Sequence, residues 1–235
     1  MVKQALPYSP PLARFGFARS FSPRALDAVR PLHPAELAIA EQFTGRRQAE
    51  FLLGRRAART ALAAARISGG PVLVDGRRPL FPPGAVGSIS HCGDVAVAIA
   101  GPTVRYRSIG VDLEVCPPPA DGTHLVLSEQ ERAWTQDGAT EARRERRLLR
   151  AFSAKEAAYK ALDPILPEGA PRLRRIRLRP VSGGFIAWVP DRPDLWLRVT
   201  VRDLCPGVLA WTVLPNSANR RRQNPYSASR TMAHR

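Results

Sequence analysis

The sequence predicts an α+β protein built from two subdomains. In the first half of the 235-residue chain, helical periodicity precedes a series of strand-like segments, and helices again precede strands in the second half. Blocks of helix followed by blocks of strand are typical of α+β folds. We expect the two subdomains to join near residues 104–110, and the cleft between them is the natural place for a ligand.

The first half contains one long predicted helix and several short strands. Residues 1–35 are punctuated by prolines, and Ala13 to Phe21 predicts a pair of strands. Apolar residues then recur at mostly helical spacings from Pro34 to Ile67, and Ser68-Gly69-Gly70 ends this helix. The strands predicted after it are Val72 to Val74, Gly87 to Ile89, Val95 to Ile99 and Ser108 to Val115.

The second half begins with a helix start at Ser128, where Glu131 three residues later completes a capping box. The charge-rich window 141–150 predicts an exposed helix. Residues 148–162 form the next helix, which ends at Asp163-Pro164 because the residue before proline resists helical geometry. The strands predicted next are Ile176 to Leu178, Phe185 to Val189, Leu195 to Val201 and Val208 to Leu214.

These elements divide the chain into subdomains at 1–106 and 107–215, followed by a basic tail at 216–235 that we expect to be disordered. The net charge of +16 predicts an anionic partner, whether nucleic acid, membrane surface or acidic protein. No apolar run approaches the roughly 18–20 residues that span a bilayer, and the N-terminus lacks a secretory signal. Three widely spaced cysteines argue against disulfides or structural zinc, and favour the cytoplasm.

Two short segments, GVDLE at 110–114 and FSAKEAAYK at 152–160, carry the clearest chemical meaning. Asp112 and Glu114 project to the same side of a strand, and adjacent carboxylates repel unless a cation such as Mg²⁺ lies between them. Glu156 on the helix can complete a three-carboxylate metal site. The alternatives are a solvent-facing strand end and an ordinary Glu–Lys surface pair.

The two lysines of the helical segment stand out because the chain has only three lysines against 33 arginines. Lys155 and Lys160 flank Glu156. Lysine is a compact, mobile charge and arginine a rigid fork, so this placement predicts a phosphate site that requires ammonium groups. The alternative is that both are ordinary cations on the helix surface.

Taken in chain order, four segments resemble the 4′-phosphopantetheinyl transferases of the Sfp type, particularly the branch of enterobactin synthetase component D. In this sequence Phe81 and Phe152 stand where the family often has Trp, which keeps an apolar aromatic side chain. The matching segments are RRQAEFLLGRRAAR at 46–59, RRPLFPPGAVGSISH at 77–91, IGVDLE at 109–114 and FSAKEAAYKAL at 152–162.

The resemblance implies a monomer of two similar, pseudo-twofold-related α+β subdomains, with coenzyme A in the active-site cleft between them. The implied reaction moves 4′-phosphopantetheine from coenzyme A to a serine of an acyl or peptidyl carrier protein and releases 3′,5′-ADP. Glu156 would take the serine proton, while Lys155 and His91 would offset charge on the diphosphate and leaving group. The implied Mg²⁺ ligands are Asp112, Glu114 and Glu156.

The same resemblance implies which basic and polar residues bind coenzyme A. Either Arg77 or Arg78 fills the family's basic position before the proline, and the register does not decide between them. An acidic carrier protein would be steered to the basic surface, and neither nucleic acid nor membrane insertion is expected. The other implied coenzyme A contacts are Arg47, Arg55, Ser90, His91, Lys155 and Lys160.

Two other functions use part of the same pattern. An arginine-rich nucleic-acid-binding protein explains the charge, but the acids at 112, 114 and 156 would repel phosphates unless they carried a metal. A metal-dependent nuclease uses the same carboxylates. A strict dependence on coenzyme A separates the transferase from both.

Overall fold

Two antiparallel sheets, each packed against one long helix, form the framework of the protein. The computed structural model describes residues 14–19, 31–118, 122–138, 140–169 and 171–216. The first half contains β1 (Arg14–Arg19), α1 (Pro34–Ala40), α2 (Gly45–Ala64), β2 (Leu73–Asp75), β3 (Arg78–Leu80), β4 (Ala85–Cys92) and β5 (Val95–Pro102). The second contains β6 (Tyr106–Glu114), α3 (Thr123–Val126), α4 (Glu129–Gln136), α5 (Glu141–Leu162), a 3₁₀ turn (Leu173–Arg175), β7 (Arg177–Val181), β8 (Gly184–Val189), β9 (Arg192–Asp203) and β10 (Val208–Pro215).

The strands form a three-stranded sheet in the order β1-β5-β4, a five-stranded sheet in the order β6-β10-β9-β8-β7, and the separate hairpin β2-β3. Helix α2 packs on the first sheet through buried residues such as Leu53 and Ala57, and α5 covers the second sheet through residues such as Ala154 and Ala158. The predicted α+β class and its two subdomains are confirmed. None of the described helices combines the length and apolar character needed to cross a membrane.

The two sheets meet in an apolar cluster that joins the halves of the protein. Val97 and Ile99 of β5 pack there against Ile109 and Val111 of β6 and Trp211 of β10. The chain changes sheet between the end of β5 and the start of β6. The predicted boundary at residues 106 and 107 lies beside this change and stays a prediction.

A buried glutamate occupies the same structural position in each half. Glu36 is the third residue of α1, and its carboxylate accepts hydrogen bonds from the amides of His33 (2.8 Å) and Val72 (2.8 Å). Glu131 is the third residue of α4, and its carboxylate accepts from the amides of Ser128 (2.7 Å) and Leu178 (2.7 Å). Each glutamate therefore ties a capping box to a segment distant in sequence.

The cation that faces each glutamate also comes from an equivalent position. Arg59 in α2 lies 3.6 Å from Glu36 Oε2, and Lys155 in α5 lies 2.7 Å from Glu131 Oε2. Both are the fifteenth residue of their helix, counted from Gly45 and from Glu141. The two subdomains are therefore similar in detail, although the sequence shows no residue-level repeat.

The structure corrects the predicted helices in two places. The single helix predicted from Pro34 to Ile67 is two, because Thr44 has extended backbone and Gly45 a φ of +54°, which interrupts the helical path. The helices predicted at 141–150 and 148–162 are one continuous α5. The capping box at Ser128 and the end of α5 before Asp163-Pro164 are confirmed.

Two predictions concern residues at the ends of the chain. Of the strand pair predicted from Ala13 to Phe21, the structure describes one strand, β1, which pairs with β5. Residues 20–30 lie outside the described residues. The basic tail predicted at 216–235 also lies outside them, apart from Asn216.

Candidate active site between the two halves

The candidate site is built where β4 of the first sheet lies beside β6 of the second. Neighbouring strand residues point to opposite sides, so Ser88 and Ser90 both face β6. Ser88 Oγ accepts a hydrogen bond from the Val111 amide (3.1 Å), and Ser90 Oγ accepts one from the Leu113 amide (3.2 Å). Two serine side chains therefore bridge the halves of the protein next to Asp112.

Helix α5 approaches β6 closely at Gly110. A Cβ atom at this position would lie 1.8 Å from the carbonyl oxygen of Ala157, far inside any tolerated contact. The absence of a side chain lets the helix backbone press against the strand. Glu156 and Lys160 of α5 are thereby held near Asp112, two residues after the glycine.

Asp112 is the buried centre of this site, with 2% of its surface exposed. Its Oδ1 atom accepts hydrogen bonds from Lys160 Nζ (2.7 Å) and Ser90 Oγ (3.1 Å). Its Oδ2 atom is buried and has no hydrogen-bond partner among the described residues. A buried carboxylate oxygen without a partner destabilises the folded state unless a cation or a hydrogen-bond donor binds to it.

Glu114 and Glu156 belong to the same electrostatic cluster. Burial raises the pKa of Glu114 to about 7, with further contributions from the carboxylates of Asp112 and Glu156, while Lys160 opposes the shift. Burial also raises the pKa of Glu156; Lys160 opposes this, and Asp112 adds to it. Three carboxylates thus share one ammonium group, which leaves an excess of negative charge.

This donor set fits a hard divalent cation such as Mg²⁺, which prefers carboxylate oxygens. Within the described ranges, no three His, Cys, Asp or Glu side chains are already arranged around one metal position. The ammonium group of Lys160 is bonded to Asp112 Oδ1. The orphaned Oδ2 atom and the excess negative charge are the observations that favour a metal here.

The structure does not bring Lys155 to this cluster. Its side chain is fully buried, and Nζ donates to Glu131 Oε2 (2.7 Å) and to the carbonyls of Val126 (2.9 Å) and Leu173 (3.1 Å). All three ammonium hydrogens therefore have partners. Burial lowers the pKa of Lys155, and the Glu131 carboxylate opposes that shift. In this arrangement all donors of the ammonium group are used inside the protein, away from the carboxylate cluster.

His91 lies on the other face of β4 from Ser90, toward α2. Its side chain is 43% exposed, and Nδ1 is 4.0 Å from Glu50 Oε1, which also accepts a hydrogen bond from Arg46 (2.7 Å). Arg47 is exposed on the same helix, and its guanidinium lies over the ring of Phe43. His91 and Arg47 are accessible to a ligand, but no direct contact joins them to the carboxylate cluster.

Arg55 is buried, unlike the surface cation that its predicted role implies. Its Nη2 atom donates to the Leu73 carbonyl (2.9 Å), and its guanidinium lies over the ring of Phe51. Burial lowers the pKa of Arg55 to about 10, so it remains charged at neutral pH. With 6% of its surface exposed, Arg55 mainly fastens α2 to β2.

Arg77 and Arg78 differ in what they contact. Arg78 lies 2.5 Å from Asp75 and 3.5 Å from Asp163, so it links the hairpin β2-β3 to the end of α5. Arg77 is exposed in the turn between the two strands. The hairpin thus reaches the helix end that follows Lys160, and both arginines are exposed.

Three residues that the sequence interpretation missed support the site or its framework. Ser88 bridges β4 to β6, and the alternation of Ser88 and Ser90 in one strand was the available signal. Ser153 Oγ lies 3.5 Å from the Asp112 carbonyl. Glu131 was recognised as a capping residue, but its partnership with Lys155 was not visible in the spacing.

Two family models match successive parts of the chain. The first, described as the 4′-phosphopantetheinyl transferase N-terminal domain, matches residues 33–101. The second, described as the 4′-phosphopantetheinyl transferase superfamily, matches residues 108–196. Together the two ranges cover more than half of the chain, and they divide at the change of sheet.

Curated relatives include proteins named 4′-phosphopantetheinyl transferase and enterobactin synthase component D. The 4′-phosphopantetheinyl transferase Npt of Nocardia iowensis is 37% identical over 139 residues, which are 57% of this chain and 60% of that protein. Enterobactin synthase component D of Salmonella typhi is 38% identical over 121 residues, 50% of this chain and 49% of that protein. The 4′-phosphopantetheinyl transferase PptT of Mycobacterium tuberculosis is 34% identical over 134 residues, which are 56% of this chain and 58% of that protein.

The matched region thus spans about half to three fifths of the length of these relatives. Both family models carry the same superfamily name, one on each side of the interface that holds Asp112. The chain belongs to the 4′-phosphopantetheinyl transferase superfamily.

Proposed function

We propose that the protein transfers the 4′-phosphopantetheine group of coenzyme A to a serine hydroxyl of an acyl or peptidyl carrier protein, with Mg²⁺ as cofactor. The observation that carries this proposal is the carboxylate cluster around Asp112, with its unpartnered oxygen and single ammonium group, in a chain of this superfamily. Transfer of a phosphorus-centred group requires positioning and neutralisation of charge more than covalent chemistry by the protein.

Asp112 through Oδ2, together with Glu114 and Glu156, would hold the Mg²⁺ ion. When bound, Mg²⁺ supplies positive charge to the diphosphate and polarises the reacting phosphorus. The diphosphate of coenzyme A and the three carboxylates are negatively charged and repel each other. A divalent cation is therefore required for coenzyme A binding as well as for turnover.

Lys160 is the residue best placed to contact the diphosphate directly. An ammonium group has three hydrogen-bond donors, and Lys160 uses two of them on Asp112 and Ser90. Its side chain is 27% exposed, so the third donor can reach a phosphate oxygen. Lys160 thus joins the carboxylate cluster to the substrate.

Glu156 is our candidate for the base that takes the proton of the attacking serine. A raised pKa makes a buried carboxylate a stronger base than an ordinary one, which favours this role. Glu156 lies on the helix face that Gly110 brings next to Asp112. From there it would act either as a metal ligand or through a water molecule.

The accessible cations around the cluster form the proposed binding surface for the nucleotide part of coenzyme A. His91 lies next to α2, Arg47 is exposed on α2, and Arg77 and Arg78 are exposed on the hairpin. Arg55 is buried in α2. The net charge of +16 would steer an acidic carrier protein to the same region. Enterobactin synthase component D among the relatives favours a peptidyl carrier protein of siderophore assembly.

The test is incubation of the purified protein with Mg²⁺, coenzyme A and an apo peptidyl carrier protein, followed by intact-mass measurement of the carrier. We expect a gain of one phosphopantetheine group, lost with a chelator and with Asp112→Ala. No gain across several apo carriers, with coenzyme A failing to raise the melting temperature, would overturn the proposal.

A further inference from the structure

The Ser90 hydroxyl is fully occupied inside the protein. It donates to Asp112 Oδ1 (3.1 Å) and accepts from Lys160 Nζ (3.1 Å) and the Leu113 amide (3.2 Å). A hydroxyl offers one donor and two acceptor lone pairs, so these three bonds use its whole capacity. Only 6% of Ser90 is exposed. A phosphate oxygen can accept its proton only if the bond to Asp112 is given up.

The hydrogen bond from Ser90 also determines which oxygen of Asp112 is left without a partner among the described residues. Ser90 and Lys160 both donate to Oδ1, while Oδ2 has no partner among the described residues. The hydroxyl therefore fixes the rotation of the carboxylate, while Lys160 keeps its own bond to Oδ1. This is the arrangement of an outer partner that orients a metal ligand rather than of a group that binds the substrate.

We propose that Ser90 is a positioning residue, which holds the Asp112 carboxylate with Oδ2 turned toward the cation. The predicted role of Ser90 as a direct coenzyme A contact is replaced by this one. The inference rests on the proposed function, since it concerns the metal and diphosphate site of that reaction.

Ser88 provides a matched control in the same strand. Both serines are buried on the face of β4 that meets β6, and each accepts one amide hydrogen bond from β6. Only Ser90 also contacts Asp112 and Lys160. Replacing either serine by alanine removes one bridge between the halves, so any difference in cation binding reports the contacts that Ser90 alone makes.

The experiment measures Mn²⁺ binding to the purified full chain by electron paramagnetic resonance, and coenzyme A binding by calorimetry at saturating Mn²⁺. Loss of an outer partner typically weakens metal binding 10–100-fold. We expect Ser90→Ala to weaken Mn²⁺ binding about tenfold or more, with coenzyme A affinity at saturating Mn²⁺ changed less than about threefold. Ser88→Ala should change neither. Should Ser90→Ala not fold, Ser90→Cys, whose thiol forms only weak hydrogen bonds, is judged by the same criteria.

Three results would overturn the inference: unchanged Mn²⁺ affinity in the Ser90 variant, a loss of coenzyme A affinity without a loss of Mn²⁺ affinity, or equal losses in both serine variants. The carrier assay with the unmodified protein tests the proposed function separately. If that assay gives no transfer while the two serine variants differ in Mn²⁺ affinity as expected, the proposed function fails and the positioning role of Ser90 stands.

Discussion

Lys155 Nζ lies 2.7 Å from Glu131 Oε2 in the interior of the second subdomain, and neither side chain is accessible to a ligand. The pair joins α5 to α4, and Glu131 extends the connection to β7 through the Leu178 amide. Lysine at this position is therefore explained by three internal acceptors, with no need for a substrate phosphate. The equivalent pair in the first subdomain uses Arg59 and Glu36.

Lys155→Met is expected to destabilise the protein strongly. Removing one partner of a buried ion pair leaves the other charge uncompensated and typically costs about 3–5 kcal/mol. The free energy of unfolding from urea titration measures this loss. Lys160→Met is the comparison. Its side chain is 27% exposed and lies at the proposed cation site, so with Mg²⁺ present the loss of stability should be smaller, while transfer activity should fall by about 100-fold or more. Equal stability of the two variants would contradict the assignment of Lys155 to the framework.

Gly110→Ala is expected to separate α5 from β6. The new Cβ would meet the Ala157 carbonyl, so the backbone must move, and overpacking of this kind costs about 3 kcal/mol or more where backbone is the obstacle. Gly122→Ala is the control, since a Cβ there meets nothing within 4 Å and its φ is −85°. Thermal melts compare the two variants, and similar melting temperatures would show that the close approach is not required.

The metal-free protein should become more stable as pH falls from about 8 toward 6. The pKa of Glu114 is raised to about 7 in the folded state against 4.5 ordinarily, so the folded state binds the proton more tightly than the unfolded state. For a carboxyl whose pKa is raised, stability decreases as pH rises from about 4.5 through 7. In a chain of this size, a change of 1 kcal/mol in the free energy of unfolding shifts the melting temperature by about 2–4 °C. We therefore expect the melting temperature to rise by several degrees as pH falls from about 8 toward 6.

Glu114→Gln is the control for this pH dependence, because its amide does not titrate. In the presence of a chelator, the melting temperature of the variant should vary less between pH 6 and pH 8 than that of the unmodified protein. An identical pH profile for the two proteins would mean that Glu114 does not carry the effect.

A chelator should also weaken coenzyme A binding. Without a cation, the diphosphate faces three carboxylates and a single ammonium group, so repulsion is expected to lower the affinity by about tenfold or more. Calorimetric titration of coenzyme A with and without Mg²⁺ measures the difference. Asp112→Asn removes one negative charge and should reduce this dependence on Mg²⁺.

The local chemistry of the site could be predicted from short-range patterns. Strand alternation places Asp112 and Glu114 on one side, and the capping box and Asp163-Pro164 mark helix boundaries that the structure confirms. The α+β class followed from the order of helices and strands. These features depend on residues only a few positions apart, where backbone geometry dictates the outcome.

Which side of each long helix faces the core could not be predicted in the same way. Lys155 and Lys160 lie five residues apart, or about 140° around an α-helix, so they face different directions. Which one enters the core depends on Glu131, 24 positions earlier, and on carbonyls from two other segments. The burial of Arg55 could not be predicted for the same reason, since its partner is the Leu73 carbonyl of a later strand.

The most direct test of the account is a crystal structure of the protein with Mn²⁺ and coenzyme A, with data collected at the manganese absorption edge. We predict an anomalous peak between the halves, bonded by Asp112 Oδ2, Glu114 and Glu156, with Lys160 on the diphosphate and Lys155 still paired with Glu131. A bound coenzyme A whose manganese peak lies away from Asp112, or whose diphosphate contacts Lys155, would contradict it.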